Sequence, residues 1–273
     1  MSADSTTDPE KQNLQRIRLH LSYDGTDYLG WQKQTKQDGR TVQGDLEHAL
    51  FVLTKTKITT IGSGRTDAGA HAKDQAVHFD FDPTRVKNFD WVRGLNRHLP
   101  DQIKVHKMLL APPGFHAILS SQYKTYIYTV VDGGTPDPLK TRYAHWVGSK
   151  LDVDYLNSLS KCLVGRHDFK SFQTKGTPMA TTVRTLTLIH WSRTAADEVQ
   201  VEVSGSGFLK QMVRNIVGTL LHRYWTGEQE TQDIQNILNA LDRRRAHGTA
   251  PAKGLCLHEV KYPAELDKNC VQS

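Results

Sequence analysis

The sequence predicts an α+β fold of two halves, each an antiparallel sheet backed by helices. Three observations carry this. Segments alternating apolar and polar residues, the period of a half-buried strand, recur along the chain. Segments with apolar residues at helical spacing lie between them. The order β-α-β-β-α-β then occurs twice, the second time with one extra helix. That order belongs to ferredoxin-like or RRM-like units, and a cleft between two of them is a natural active site. Turn residues cluster at Ala111-Pro112-Pro113-Gly114 and mark the boundary. The expected organisation is a disordered tail over 1–15, a first half over 16–111, a second over 112–263 and a tail over 264–273.

In the first half, Ile17 to Tyr23 alternates as a strand. Thr41 is placed to cap a helix carrying Val42, Leu46, Ala49, Leu50 and Leu53. Strands are expected near 58–62 and 75–81. A helix from Asn88 to His98 shows Phe89, Val92 and Leu95 on one face, and Pro100 ends it. Ile103 to Leu109 completes the set. In the second half, Tyr123 to Val131 is a strand, extended by a short one near Ala144 to Val147. Asp152 caps a helix with Val153, Leu156, Leu159 and Leu163. Val183 to Trp191 and Val199 to Ser204 are strands. A long helix runs from Phe208 to Tyr224, another from Gln232 to Leu241 with Thr231 as its cap, and Leu255 to Tyr262 is the closing strand.

The chain has 273 residues, enough for one large domain or two ordinary ones, with 35 Lys and Arg against 29 acids and a net charge of +6. That modest excess leans towards a polyanionic partner. No stretch approaches the roughly 18 apolar residues of a membrane span. Met1 to Gln15 lacks the apolar core of a signal peptide, so a cytoplasmic protein without membrane contact is expected. Cys162, Cys256 and Cys270 are far apart and read as free thiols of a reducing compartment.

Residues 62–71 read Gly-Ser-Gly-Arg-Thr-Asp-Ala-Gly-Ala-His. Asp67 is the only acid of this segment, so it is the natural nucleophile or general base. Arg65 can hold a phosphate or pair with the carboxylate. The Gly-Lys-Ser/Thr of a nucleotide P-loop is absent. Asp67, His71 and Asp74 have no second cluster to complete a metal shell, so no metal is expected.

With that loop placed, the chain resembles a tRNA pseudouridine synthase of the A type. Five stretches carry the resemblance: Y-D-G-T-D-Y-L-G-W-Q-K-Q at 23–34; T-V-Q-G-D-L-E-H-A-L at 41–50; the 62–71 loop with Gln75 to Phe79 after it; F-H-A at 115–117 with K-T-Y-I-Y at 124–128; and Q-M-V-R-N-I-V-G at 211–218. Order and spacing follow the family over nearly the whole chain, roughly from 17 to 262. The resemblance implies isomerisation of uridine to pseudouridine in the anticodon stem-loop of tRNA, at nucleotides 38 to 40. The C1′–N1 bond breaks, the base turns, and it rejoins through C5. It also implies tRNA as partner, no metal or organic cofactor, and a homodimer.

Residue by residue, Asp67 matches the family's catalytic aspartate and Arg214 the arginine that pairs with it. Tyr126 matches the tyrosine that stacks on the target uracil, and Arg65 the basic residue that contacts RNA or helps extrude the nucleotide. His71 and Gln75 shape the loop or simply pack. Further RNA contacts are expected from Lys33, with Lys36 and Arg40 beside it, from Arg243 and Arg244, and from Arg166, His167 and Lys170. Two departures stand out. Ile118 replaces an arginine the family often carries, and Lys124 and Thr125 stand where it has two basic residues. The alternatives are a non-catalytic RNA-binding module and a metal-dependent hydrolase; an acid in a Gly-rich basic loop, where it repels phosphate, speaks for the synthase.

Overall fold

The computed structural model describes residues 14–34, 39–82, 90–174, 176, 179–226 and 231–272. The first strand, β1 (Gln15–Tyr23), buries Ile17, Leu19 and Leu21 completely, as its period-2 pattern demands. The helix α1 (Val42–Thr54) starts where the Thr41 hydroxyl accepts from the Gly44 amide, and it buries Val42, Leu46, Ala49 and Leu50. Two strands follow, β2 (Ile61–Gly62) and β3 (His71–Phe81). Asp90 caps α2 (Trp91–His98) by accepting from the Arg93 amide; Asn88 and Phe89, expected to start this helix, lie outside the described residues. The half ends in β4 (Ile103–Ala111).

The second half opens with β5 (Tyr123–Asp132), α3 (Pro138–Thr141) and β6 (His145–Val147). Asp152 caps α4 (Val153–Ser160), accepting from the Tyr155 amide. Then come β7 (Gly165–Asp168), β8 (Val183–Ala195), β9 (Glu198–Gly205), α5 (Met212–Thr226), α6 (Thr231–Asn239) and β10 (Leu255–Lys261). The long helix therefore begins four residues later than its periodicity suggests. Gln211 holds φ at +59°, a left-handed conformation that a helix cannot contain. Within 264–273, read as a tail, residues 264–272 contain α7 (Ala264–Lys268) and β11 (Val271–Gln272), and β11 pairs with β4.

The expected pair of separate sheets is one eleven-stranded sheet, ordered β11-β4-β1-β3-β10-β5-β9-β8-β7, with β2 on β3 and β6 on β5. It is mostly antiparallel. The last long strand, β10, enters between the halves. It runs antiparallel to β5 and parallel to β3, meeting the latter only at Cys256–His71 and Leu257–Ala72. Each half-sheet alone would leave an inner edge of unpaired amides and carbonyls, and β10 pairs with both. The seam sits at His71, directly after the glycine-rich loop.

Candidate active site

The loop at 63–70 connects β2 to β3 and is held from below on every side. Gln75, fully buried, accepts from the Ser63 hydroxyl and donates to the Gly64 carbonyl at 2.7 Å. The hydroxyls of Thr66 and Tyr23 lie 2.8 Å apart. The Trp31 amide donates to the Thr66 carbonyl and the Gly69 amide to the Tyr28 carbonyl. A side chain at Gly25 would put its Cβ 1.9 Å from the Ala70 carbonyl oxygen; glycine is needed there for close approach. The Y-D-G-T-D-Y-L-G-W stretch is thus the floor of the loop. His71 is buried; its Nδ1 lies 3.1 Å from the Gly25 amide and 3.2 Å from Asp24 Oδ1, and its Nε2 lies 3.2 Å from the Lys253 carbonyl. Burial lowers its pKa against the pull of Asp24. His71 and Gln75 both brace the loop.

Asp67 projects from this frame towards the second half, where Arg214 Nη1 meets Asp67 Oδ2 at 2.7 Å. The two side chains retain 12% and 20% of their accessible surface, Arg214 the smaller, so the pair is largely withdrawn from water yet reachable. Arg214 uses its planar fork in two directions: Nη1 takes the carboxylate and Nε donates to the Ala250 carbonyl at 2.7 Å. The Ala250 amide returns a bond to the Arg214 carbonyl at 3.1 Å. This close contact of α5 with the 247–250 segment depends on Gly218, where a Cβ would lie 2.0 Å from the Gly248 carbonyl oxygen.

Tyr126 is buried in β5, with its ring edge-to-face on Phe208 at 4.9 Å between centroids. Its hydroxyl faces Gly64, where a Cβ would come within 3.3 Å of it. Burial, and secondarily the Asp67 carboxylate, raise its pKa, so the phenol keeps its proton. Two residues on, the Tyr128 hydroxyl donates to the Pro251 carbonyl. Asp67, Tyr126 and Arg214, far apart in sequence, thus share one neighbourhood that spans both halves.

The expected RNA contacts fall differently. Arg65 is exposed at the loop. Lys33 is exposed but pairs with Glu47 at 3.0 Å, and Lys36 lies outside the described residues. Arg244 is exposed and pairs with Asp242. Arg243 turns inward: its guanidinium donates to Ala246 O, Asn215 Oδ1 and Thr249 Oγ1, bracing the segment that receives Arg214. Ile118 is 45% exposed. The three side chains of the metal reading take separate partners. Asp67 pairs with Arg214, His71 with Gly25, Asp24 and Lys253, and Asp74 with His20 and His106. A cavity of about 470 Å³ is lined by Arg18, His20, Asp74 and His106 among others, and by none of Asp67, Tyr126 and Arg214. The pairing across the halves, rather than cavity size, marks the site.

Sequence reasoning missed several supports. Asn215 is fully buried and links Arg243, Thr249 and the Phe172 carbonyl; an amide inside the apolar stripe of a helix was its available signal. Asp24 accepts from Arg142 and Tyr143 across the halves, and no local pattern announces so distant a contact.

Residues 20–117 and 159–263 match the sequence profile of the tRNA pseudouridine synthase family. The chain is 43% identical to a protein of Bdellovibrio bacteriovorus named tRNA pseudouridine synthase A, covering 94% of this chain and 98% of that one. It is 43% identical to the protein of that name from Maridesulfovibrio salexigens, over 91% of each chain. With that from Bacillus subtilis it shares 41% identity over 90% of this chain and 99% of the other. A chain from a solved Cbf5-Nop10-Gar1 complex aligns at 9% identity and a TM-score of 0.34, over 88% of this chain and 57% of that one, too distant to bear on the argument. A profile match over most of the chain, with relatives above 40% identity along nearly its whole length, places this protein in the tRNA pseudouridine synthase family.

Proposed function

We propose that the protein isomerises uridine to pseudouridine in the anticodon stem-loop of tRNA, at nucleotides 38 to 40, with Asp67 as the catalytic carboxylate. The observation that carries this reading is the 2.7 Å contact between Asp67 and Arg214, which joins the glycine-rich loop to the long helix of the other half. The chemistry needs an ionised carboxylate at the ribose, in a pocket from which water is largely excluded. A fixed guanidinium holds the carboxylate in one orientation in such a pocket. Asp67 acts on the sugar, either by attack at C1′ or by taking a ribose proton. The C1′–N1 bond breaks, uracil turns against the Tyr126 ring, C5 bonds to C1′, and the proton that C5 carried leaves while N1 takes one up.

A base can enter this site only when extruded from its stack, and an aromatic ring is the usual platform for it. Arg65, exposed beside Asp67, is suited to contact the RNA backbone as the nucleotide leaves. Lys33 and Arg244 supply exposed positive charge, while Arg243 is suited to bracing the Arg214 site. We read the two halves as ferredoxin-like units; the orders β4-β1-β3-β2 and β10-β5-β9-β8 support this. A homodimer in the cytoplasm goes with the family. Incubation with unmodified tRNA transcripts, followed by site-resolved pseudouridine mapping, tests the proposal. Pseudouridine at positions 38 to 40 is expected; none in any tRNA would refute it.

A further inference from the structure

We infer that Lys124 and Arg184 form a clamp for a backbone phosphate of the RNA strand that carries the target uridine. This rests on the synthase reading of the site.

Strand β5 pairs with β9 without interruption from Lys124–Gly205 to Val131–Glu198, so Lys124, Tyr126 and Tyr128 lie on one face. Tyr126 stands by Gly64 and Asp67, and Tyr128 near Arg214. Lys124 is the next residue of that face outward from Tyr126, about 7 Å along the strand.

Lys124 is only 8% exposed, yet among the described residues its ammonium has neither a hydrogen-bond acceptor nor an acidic partner. Its stem is covered while Nζ stays open to solvent, where a ligand can reach it. Burial, and secondarily repulsion from a second cation, Arg184, push the Lys124 pKa down to about 8. Among the described residues Arg184 likewise has no acidic partner. Its Nη1 donates to the carbonyls of Thr181 and Val183, and its Nε and Nη2 have no acceptor among the described residues. The guanidinium lies against Gly207, where a Cβ would sit 3.7 Å from Nε. The next residue, Phe208, packs on the Tyr126 ring.

Lys124 lies opposite Gly205 in the sheet and Arg184 lies against Gly207, so the two cations flank one end of β9, and the free protein gains nothing from holding them so. An anion between them removes the repulsion. A phosphodiester fits the demand: it carries a single charge, and its two free oxygens can accept from Lys Nζ and from the open edge of the guanidinium at once. The position next to the stacking ring is where the strand must continue once its base has turned in. Phosphate contacts of this kind fix register rather than read sequence.

The test compares Lys124→Met and Arg184→Gln in the full chain. Affinity for unmodified tRNA is measured across a salt series in an Asp67→Asn background, so that turnover plays no part. Each variant is expected to bind about tenfold more weakly, the usual scale for a lost bond to a charged group. The slope of log affinity against log salt should become shallower by about 0.7, as for one single-strand phosphate contact. Thermal stability of Lys124→Met should be unchanged or higher, because a repulsion has been removed. Unchanged affinity and slope would overturn the clamp. So would a fall in melting temperature with an unchanged slope, which would make Lys124 a structural residue. Inorganic phosphate is titrated as a separate probe. If it stabilises the wild type but not Lys124→Met, while the tRNA slopes agree, the site serves a free anion and the RNA clamp is wrong. Absence of any pseudouridine from wild-type protein would instead sink the synthase reading and leave the slope comparison standing.

Discussion

Arg214 holds two groups at once, the Asp67 carboxylate through Nη1 and the Ala250 carbonyl through Nε. Only a rigid planar fork can do this. Arg214→Ala should therefore reduce single-turnover rate on the order of 10²-fold, the scale for losing one aligned group at a reacting centre, while tRNA affinity changes little. Arg214→Lys can reach one partner but not both, and should recover part of the rate. Equal loss of rate and affinity in Arg214→Ala would make the residue a phosphate contact. Tyr126 has its hydroxyl against the Gly64 backbone and its ring on Phe208. If the ring is the platform for uracil, Tyr126→Phe should keep more activity than Tyr126→Ala, with the lost platform worth roughly 1–3 kcal/mol. Equal loss in both would shift the role to the hydroxyl.

Between elements, the sensitive joint is α5 against the 247–250 segment. Replacing a helical glycine by alanine ordinarily stabilises by about 1 kcal/mol. At Gly218 the new Cβ would lie 2.0 Å from the Gly248 carbonyl, and backbone has to move, which costs roughly 1–3 kcal/mol and outweighs the helix gain. Gly218→Ala should lower the urea midpoint and cut turnover, since Ala250 moves away from Arg214; unchanged values in both would mean the joint is loose. Most elements were legible because their residues repeat at period 2 or 3.6 and their caps are local, as at Thr41 and Asp152. The late start of α5 was hidden because Gln211 carries no glycine-like signal for its positive φ. The closure of two half-sheets into one was hidden because β10 pairs with β3 through only two residue pairs. At the site, Asp67, Tyr126 and Arg214 were named from motifs; their supports, Ala250 and Asn215, depend on contacts across the fold.

For the whole molecule, burial leads the causes that lower the pKa of five histidines, His71, His78, His106, His145 and His247, below the ordinary 6.5, with His78 at about 4. A base that is harder to protonate when folded takes up a proton on unfolding, so stability rises with pH. The histidine contribution is full above 6.5 and declines as pH falls below it. Asp24, Asp74, Asp80 and Asp132 have pKa values lowered from 3.8, and their contribution is lost only below that value. The melting temperature should therefore fall steadily from pH 7 to pH 4.5; a flat profile over that window would show that these rings do not stay neutral in the folded state. The account as a whole stands on Asp67 doing chemistry while cations elsewhere supply affinity. The most direct measurement is pseudouridine formation in an unmodified tRNA transcript by wild type and by Asp67→Asn, with tRNA affinity taken in parallel. Asp67→Asn should bind tRNA within a few-fold of wild type and form no pseudouridine; turnover retained by this variant would contradict the account.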